Sequence, residues 1–189
     1  MIKDTVKESR SYRRFDAKVK ISRDTLRELI ELARFSPSAR NQQALKFMLS
    51  DTPQKNDLVF PALSWAGALK GWRGPEEGER PAAYIIVLGD TQLSQDFGCD
   101  HGIAAQSMLL GAVEKGFGGC MLGAIKRDLL RGNLNIPQRY QILLVVALGK
   151  PAEKIVLEDT EEGADTSYYR DEEDAHHVPK RPLDELILS

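Results

Sequence analysis

Apolar residues recur along this chain with two different periods, and the changes from one to the other predict its elements. Leu26, Leu29, Ile30 and Ala33 fall at i, i+3, i+4 and i+7, one stripe of a buried helix. Ser22 stands before it as an N-cap. Ser36-Pro37 ends it, because the residue before a proline avoids helical geometry. Residues 2–10 are polar and helix-compatible; Lys46–Ser50 reads as a short strand; Thr52-Pro53 opens another helix with proline at its first position. Gly71, Gly74, Pro75, Gly78 and Pro81 mark a loop. Ala83–Gly89 and Gln141–Gly149 are apolar, β-branched strands, the second the clearer of the two. Between them, Gly102–Lys115 is a helix apolar on most faces, a pattern that goes with a central, buried position. Phe117–Leu122 reads as a strand despite its glycines, and Lys126–Arg131 as a short helix. Residues 157–178 look irregular, and Pro182–Leu188 reads as a terminal strand or arm. Helices and strands mix without regular βαβ alternation, which predicts an α+β fold rather than a doubly wound sheet. With no repeat and no linker, residues 1–189 are expected to form a single domain.

Charge alters this picture locally rather than globally. The formal net charge is -2, so no overall basic field argues for nucleic acid. Residues 1–34, however, carry ten Lys/Arg against six acids, and residues 157–174 carry nine acids with Arg170 as the one base. Two cysteines, Cys99 and Cys120, are too few for a disulfide scaffold and lack zinc-ligand spacing. The start of the chain has no apolar signal region, and its longest apolar runs are seven residues, where a membrane helix needs about 20. A cytoplasmic protein with neither membrane nor nucleic-acid partners is expected.

Four segments hold residues capable of chemistry. Arg10, Arg13 and Arg14 lie within five residues of one another beside Ser11, a set of paired donors suited to a phosphate; taken alone, a solvated basic face is the simpler reading. Ser36–Gln43 offers donors and acceptors that could read the edge of a flat heterocycle, or form an ordinary turn. Gly116–Ala124 matches neither a P-loop nor G-x-G-x-x-G, but its glycines would let backbone approach a flat ligand. Within it, Cys120 reads as core packing rather than as a nucleophile, no histidine being near in sequence. Last come His176-His177 and Lys180-Arg181; adjacent histidines without a third ligand are poor evidence for a metal. Asp100-His101 reads as a helix-terminal polar cluster.

In this order and spacing, the four segments resemble the nitroreductase family of FMN-dependent oxidoreductases, over about residues 2–183. Its Arg-Ser-x-Arg-x-Phe corresponds to Arg10, Ser11, Arg13 and Phe15. Pro-Ser-x-x-Asn-x-Gln corresponds to Pro37, Ser38, Asn41 and Gln43; the glycine-rich segment to Gly118–Ala124; and Pro-Lys-Arg to Pro179, Lys180 and Arg181. The resemblance implies a central, mostly antiparallel sheet flanked by helices, in an intertwined homodimer whose C-terminal arm, about 180–189, crosses to its partner. It implies Arg10, Ser11, Lys180 and Arg181 on the FMN phosphate and ribityl chain, Arg13 near the flavin N1/O2 edge, and backbone at Leu122, Gly123 and Ala124 facing N5 and O4. Ser38, Ala39 and Asn41 would reach the flavin from the partner subunit, and Pro37 and Gln43 of the same motif would also bind the cofactor. It further implies hydride from NAD(P)H and a flat small-molecule acceptor (nitroaromatic, quinone or enone) in a ping-pong cycle, with no catalytic residue and no metal beyond the flavin. A non-catalytic FMN-binding storage or sensor protein is the alternative. Three features depart from the family pattern: Ser9 where many relatives carry Arg, Ala44-Leu45 in place of Pro-Trp, and a short stretch between Asp51 and Pro81. In that stretch Trp65, Leu69 and Trp72 could line the substrate side or belong to the core.

Overall fold

The computed structural model describes residues 1–69 and 71–188; the last residue of the expected arm, 189, lies outside them. Its elements are α1 (Ile2–Glu8), α2 (Arg23–Phe35), β1 (Leu45–Ser50), α3 (Pro53–Val59), β2 (Ala83–Asp90), α4 (Asp100–Glu114), β3 (Gly118–Leu122), α5 (Arg127–Leu134), β4 (Tyr140–Gly149), β5 (Ile155–Asp159), β6 (Tyr169–Arg170), β7 (His176–Lys180) and α6 (Leu183–Leu186).

β1, β2, β4 and β3 form, in that order, a fully antiparallel sheet. Successive side chains of a strand point to opposite faces, and here both faces are covered. Ile85 and Val87 of β2, with Val146 and Leu148 of β4, pack beneath α2 and α4. Tyr84, Ile86 and Leu88, with Val145 and Ala147, pack against the opposite layer, which includes Val59, Ala62, Leu130 and Ile136. Two covered faces are why both strands read as unbroken apolar runs. The predicted stripe of α2 is its core face, with Leu26, Leu29 and Ala33 buried. The Ser22 hydroxyl caps α2 by accepting from the Thr25 amide at 3.0 Å, and extended backbone at Ser36 ends it before Pro37.

Three expectations need correction. Residues 157–178 are not irregular throughout: amid the connecting turns they supply most of the strand residues of a second sheet, ordered β5-β7-β6, with β5 and β7 parallel. Its strands escape sequence reading because charge pairs between side chains, rather than apolar alternation, dominate them. Glu153, only 2% exposed, takes Arg170 at 2.8 Å, and His177 bridges Glu158 and Asp171. Within Pro182–Leu188 the chain turns through the short helix α6 instead of forming a strand. Trp65 belongs to the core at 7% exposure, its ring tilted against Phe60, and so does not line an open face.

Candidate functional site

A cleft of about 330 Å³ is lined by Ser9, Arg10, Ser11 and Arg13 from the N-terminus and by His176, Val178 and Lys180 from β7. Two local features bring these distant segments together. Ser11 bridges to Gly119 and the Tyr12 amide donates to the Gly119 carbonyl at 3.0 Å, so the N-terminal segment runs beside β3. Gly118 makes room for this: a Cβ there would stand 2.5 Å from the Tyr12 ring. The glycines at 118 and 119 thus admit protein rather than a ligand. Gly123, in contrast, faces open space. The second feature is Glu153, whose carboxylate accepts the backbone amides of Arg13 and Arg14 and the Arg170 guanidinium. It pins the N-terminal segment to the second sheet. Alternation along β7 then sets His176, Val178 and Lys180 on the cleft side, and His177 on the other.

Electrostatically the cleft is unbalanced. Among the described residues, Arg10, Arg13 and Lys180 make no ion pair with a carboxylate. Arg14, by contrast, pairs with Glu79 at 3.3 Å and with Asp174. Arg13 Nη1 donates to the Ser11 carbonyl at 3.3 Å and lies 3.4 Å from His176 Nε2, while its guanidinium covers the Tyr168 ring at 4.9 Å. His176, 1% exposed, is pushed down to about 4 by burial first and by Arg13 and Arg170 next, so its imidazole is neutral. Arg10 Nε, Arg13 Nε and His176 Nδ1 are buried without a protein partner. Native proteins leave few such groups. Uncompensated cations and orphaned nitrogens around a cavity fit a ligand that is anionic and rich in acceptors, and FMN is such a group.

Other expected site residues are distributed as follows. Leu122 is buried at the end of β3, and Gly123 and Ala124 are exposed beyond it, where the Ala124 carbonyl accepts from Ser64 at 3.0 Å. Arg181 is not on the cleft wall and pairs with Glu185 instead. Pro37, Ser38 and Gln43 line a separate groove with Ile30, Phe47 and Ala104. Ala39 and Asn41 are exposed in the same loop, which Asp100 holds by accepting the Ala39 amide at 3.0 Å. Arg40, Asn41 and Gln43 all have positive φ, near +50°. Three non-glycine residues in that region within one loop mark a built conformation, each costing on the order of 1–3 kcal/mol. Leu69 and Trp72 line a further cavity with Arg14, Tyr168 and Arg170. Cys120 is buried, and burial pushes its thiol up, so it is no nucleophile. The roles of Tyr168, Glu153 and His176 Nδ1 were not legible in sequence; Arg170, the one base in an acidic stretch, was the available signal for the first two.

The chain belongs to the nitroreductase family, whose model matches residues 6–150. It is 23% identical over 177 residues to a Bacillus subtilis protein that carries the name NAD(P)H nitroreductase YodC, covering 78% of this chain and 88% of the relative. Over a shorter stretch of 82 residues it is 34% identical to the CLA biosynthesis enone reductase of Lactiplantibacillus plantarum, covering 43% of this chain and 35% of that one. Among solved structures, a nitroreductase-described protein of Exiguobacterium sibiricum in complex with FMN superimposes with TM-score 0.68 at 19% identity, covering 81% of this chain and 89% of the other. The fold is therefore nitroreductase-like, and the family is one of oxidoreductases. Among the described residues, no helix is long and apolar enough to cross a membrane.

Proposed function

We propose that this chain is an FMN-dependent oxidoreductase that takes hydride from NAD(P)H and reduces a flat acceptor, such as a nitroaromatic, quinone or enone, in a ping-pong cycle. The observation that carries the reading is the cleft in which unpaired Arg10, Arg13 and Lys180 meet orphaned buried nitrogens. The relatives' names, which include an NAD(P)H nitroreductase and an enone reductase, and the FMN-bound neighbour support it.

In this reading Arg10, Ser11 and Lys180 hold the phosphate and ribityl chain, and their charge offsets its desolvation. Arg181 would join them only by leaving Glu185. Arg13 favours the reduced cofactor by placing a cation where negative charge accumulates. Backbone at Leu122–Ala124 supplies the wall for the ring. Bound FMN supplies the two-electron chemistry, which is why no acid–base pair or nucleophile is needed. Leu69 and Trp72 are the acceptor-side residues.

The functional unit is a homodimer. Pro37, Ser38 and Gln43, from the loop that also carries Ala39 and Asn41, line a groove that meets α4 at Asp100 and Ala104, whereas the cleft meets it at Gln106 and Leu109. At 100° per residue these are different faces of the helix, so a second copy is needed to bring that loop to the cofactor. Phe35, Leu183, Leu186 and Ile187, each more than 60% exposed, are the apolar surface such a partner would cover. With both cysteines free, a cytoplasmic setting fits.

The test is FMN titration of purified protein, followed by anaerobic mixing with NADH and with NADPH. Oxidised-flavin bands, bleaching by at least one nicotinamide, and loss of binding in the Arg10→Ala/Arg13→Ala double variant are expected. Protein that takes up no FMN overturns the reading. Binding without bleaching by either nicotinamide supports the storage or sensor alternative.

A further inference from the structure

Arg13 and Arg14 are adjacent in sequence, yet their environments are opposite. The carboxylates of Glu79 and Asp174 flank Arg14, and Arg170, packed at the same junction, is paired with Glu153 and Asp174. The Arg13 guanidinium, by contrast, contacts groups that carry no charge. The Tyr168 ring lies beneath it at 4.9 Å, and the His176 ring faces it at 3.4 Å while also packing on Tyr168 at 5.2 Å between centroids. A guanidinium has no lone pair to offer. His176 Nε2 must therefore be the acceptor, which puts the ring proton on Nδ1. Both of these neighbours come from the second sheet and the loop before it, beyond the residues 6–150 that match the family model.

We propose that Tyr168 and His176 are positioning residues for Arg13: they hold its guanidinium at the cleft wall without neutralising it, leaving its charge for the bound cofactor. The assignment rests on the FMN reading above. Its chemical logic is one of exclusion. A carboxylate at position 176 would form an ion pair with Arg13 and cancel the charge that the ligand meets. An imidazolium would repel it. Glu153 is near enough to attempt the same cancellation, but it is occupied by Arg170 and by two backbone amides. The arrangement keeps one cation of this junction unspent while its two neighbours are compensated.

The experiment measures FMN affinity by fluorescence quenching and the midpoint potential of bound FMN, in wild type and in His176→Glu, His176→Gln and His176→Phe. His176→Glu should weaken FMN binding about tenfold or more, the scale of one hydrogen bond to a charged group, and should shift the potential downward. His176→Gln keeps an uncharged acceptor and should restore both quantities to near wild type. His176→Phe, close in volume, should shift the potential in the same direction by less, and it serves if the glutamate variant does not fold. A potential unchanged in both His176→Glu and His176→Phe, or in His176→Phe alone if the glutamate variant fails to fold, overturns the proposal while leaving FMN binding intact. A wild type that binds no FMN overturns this proposal together with the functional reading.

Discussion

The two sheets of this molecule are held by different physics. The four-stranded sheet is apolar on both faces, with Ile85, Ile86, Val145, Val146 and Leu148 wholly buried. The three-stranded sheet has few such residues and is pinned by Glu153–Arg170, Arg14–Asp174 and the bridge from His177 to Glu158 and Asp171. Burial of apolar area is non-directional and indifferent to pH. Ion pairs depend on geometry, protonation and salt. The cleft lies between the charge-held sheet and the N-terminal segment that runs beside β3, so conditions that leave the core intact can still disturb the site.

The comparison can be broken most severely at Arg170. Arg170→Met leaves Glu153 buried without its cation and should cost about 3–5 kcal/mol, seen as a lower urea midpoint. Amide protection should be lost first over 155–159 and 176–180. In the large sheet, Ile86→Ala should cost about 2–5 kcal/mol through a cavity, with the same loss at low and high salt. If high salt rescues or worsens Ile86→Ala as much as it affects Arg170→Met, the distinction between the sheets fails.

A smaller, sharper effect is pH. Bonding to Asp171 first, and to Glu158 next, raises His177 above its ordinary 6.5. Its contribution is complete below 6.5 and disappears as pH climbs through the raised value. Its neighbour His176 acts oppositely: lowered to about 4 chiefly by burial, it penalises the folded state progressively as pH falls from 6.5 towards 4. Asp171, lowered by His177 and by the Ala175 amide, adds stability above its ordinary 3.8 that is lost as pH drops through the lowered value. Protection of the small sheet should therefore peak near 6.5 and decline on both sides, and His177→Phe should flatten the alkaline decline and weaken the contribution of Asp171 at the acid end. Unchanged protection of this sheet between pH 5 and 8, by hydrogen exchange, would contradict that assignment. Least of all, exposed Glu172, which joins no ion pair among the described residues, should change stability by less than about 0.5 kcal/mol as Glu172→Gln. This would show that paired charges, rather than acidic excess, hold the sheet.

Legibility in the sequence followed the same division. Elements that bury apolar surface declared themselves: the α2 stripe with Ser22 and Ser36-Pro37 at its ends, both central strands, and the apolar α4. The α4 helix begins two residues earlier than its pattern, at Asp100, because a carboxylate at the helix start also holds the 38–43 loop. β5 and β7 were invisible because their pairing is parallel and their partners lie about twenty residues apart, so no local alternation marks them. The cleft's cationic residues at 10–13 and Lys180 could be named from motif order. That Trp65 packs inward and Arg181 turns to Glu185 could not, because a side chain's direction depends on neighbours remote in the chain.

From its sequence alone, this chain is assigned its α+β class, its family resemblance and the arginines most suited to an anion, because period, capping and motif spacing are properties of short segments. Tertiary structure decided which of those arginines are paired with a carboxylate and which are not. Arg13 and Arg14 are chemically identical and adjacent. Only the folded chain gives one a neutral imidazole and an aromatic face, and the other two carboxylates. Electrostatic compensation acts over a few ångströms in space, and chain position does not record it.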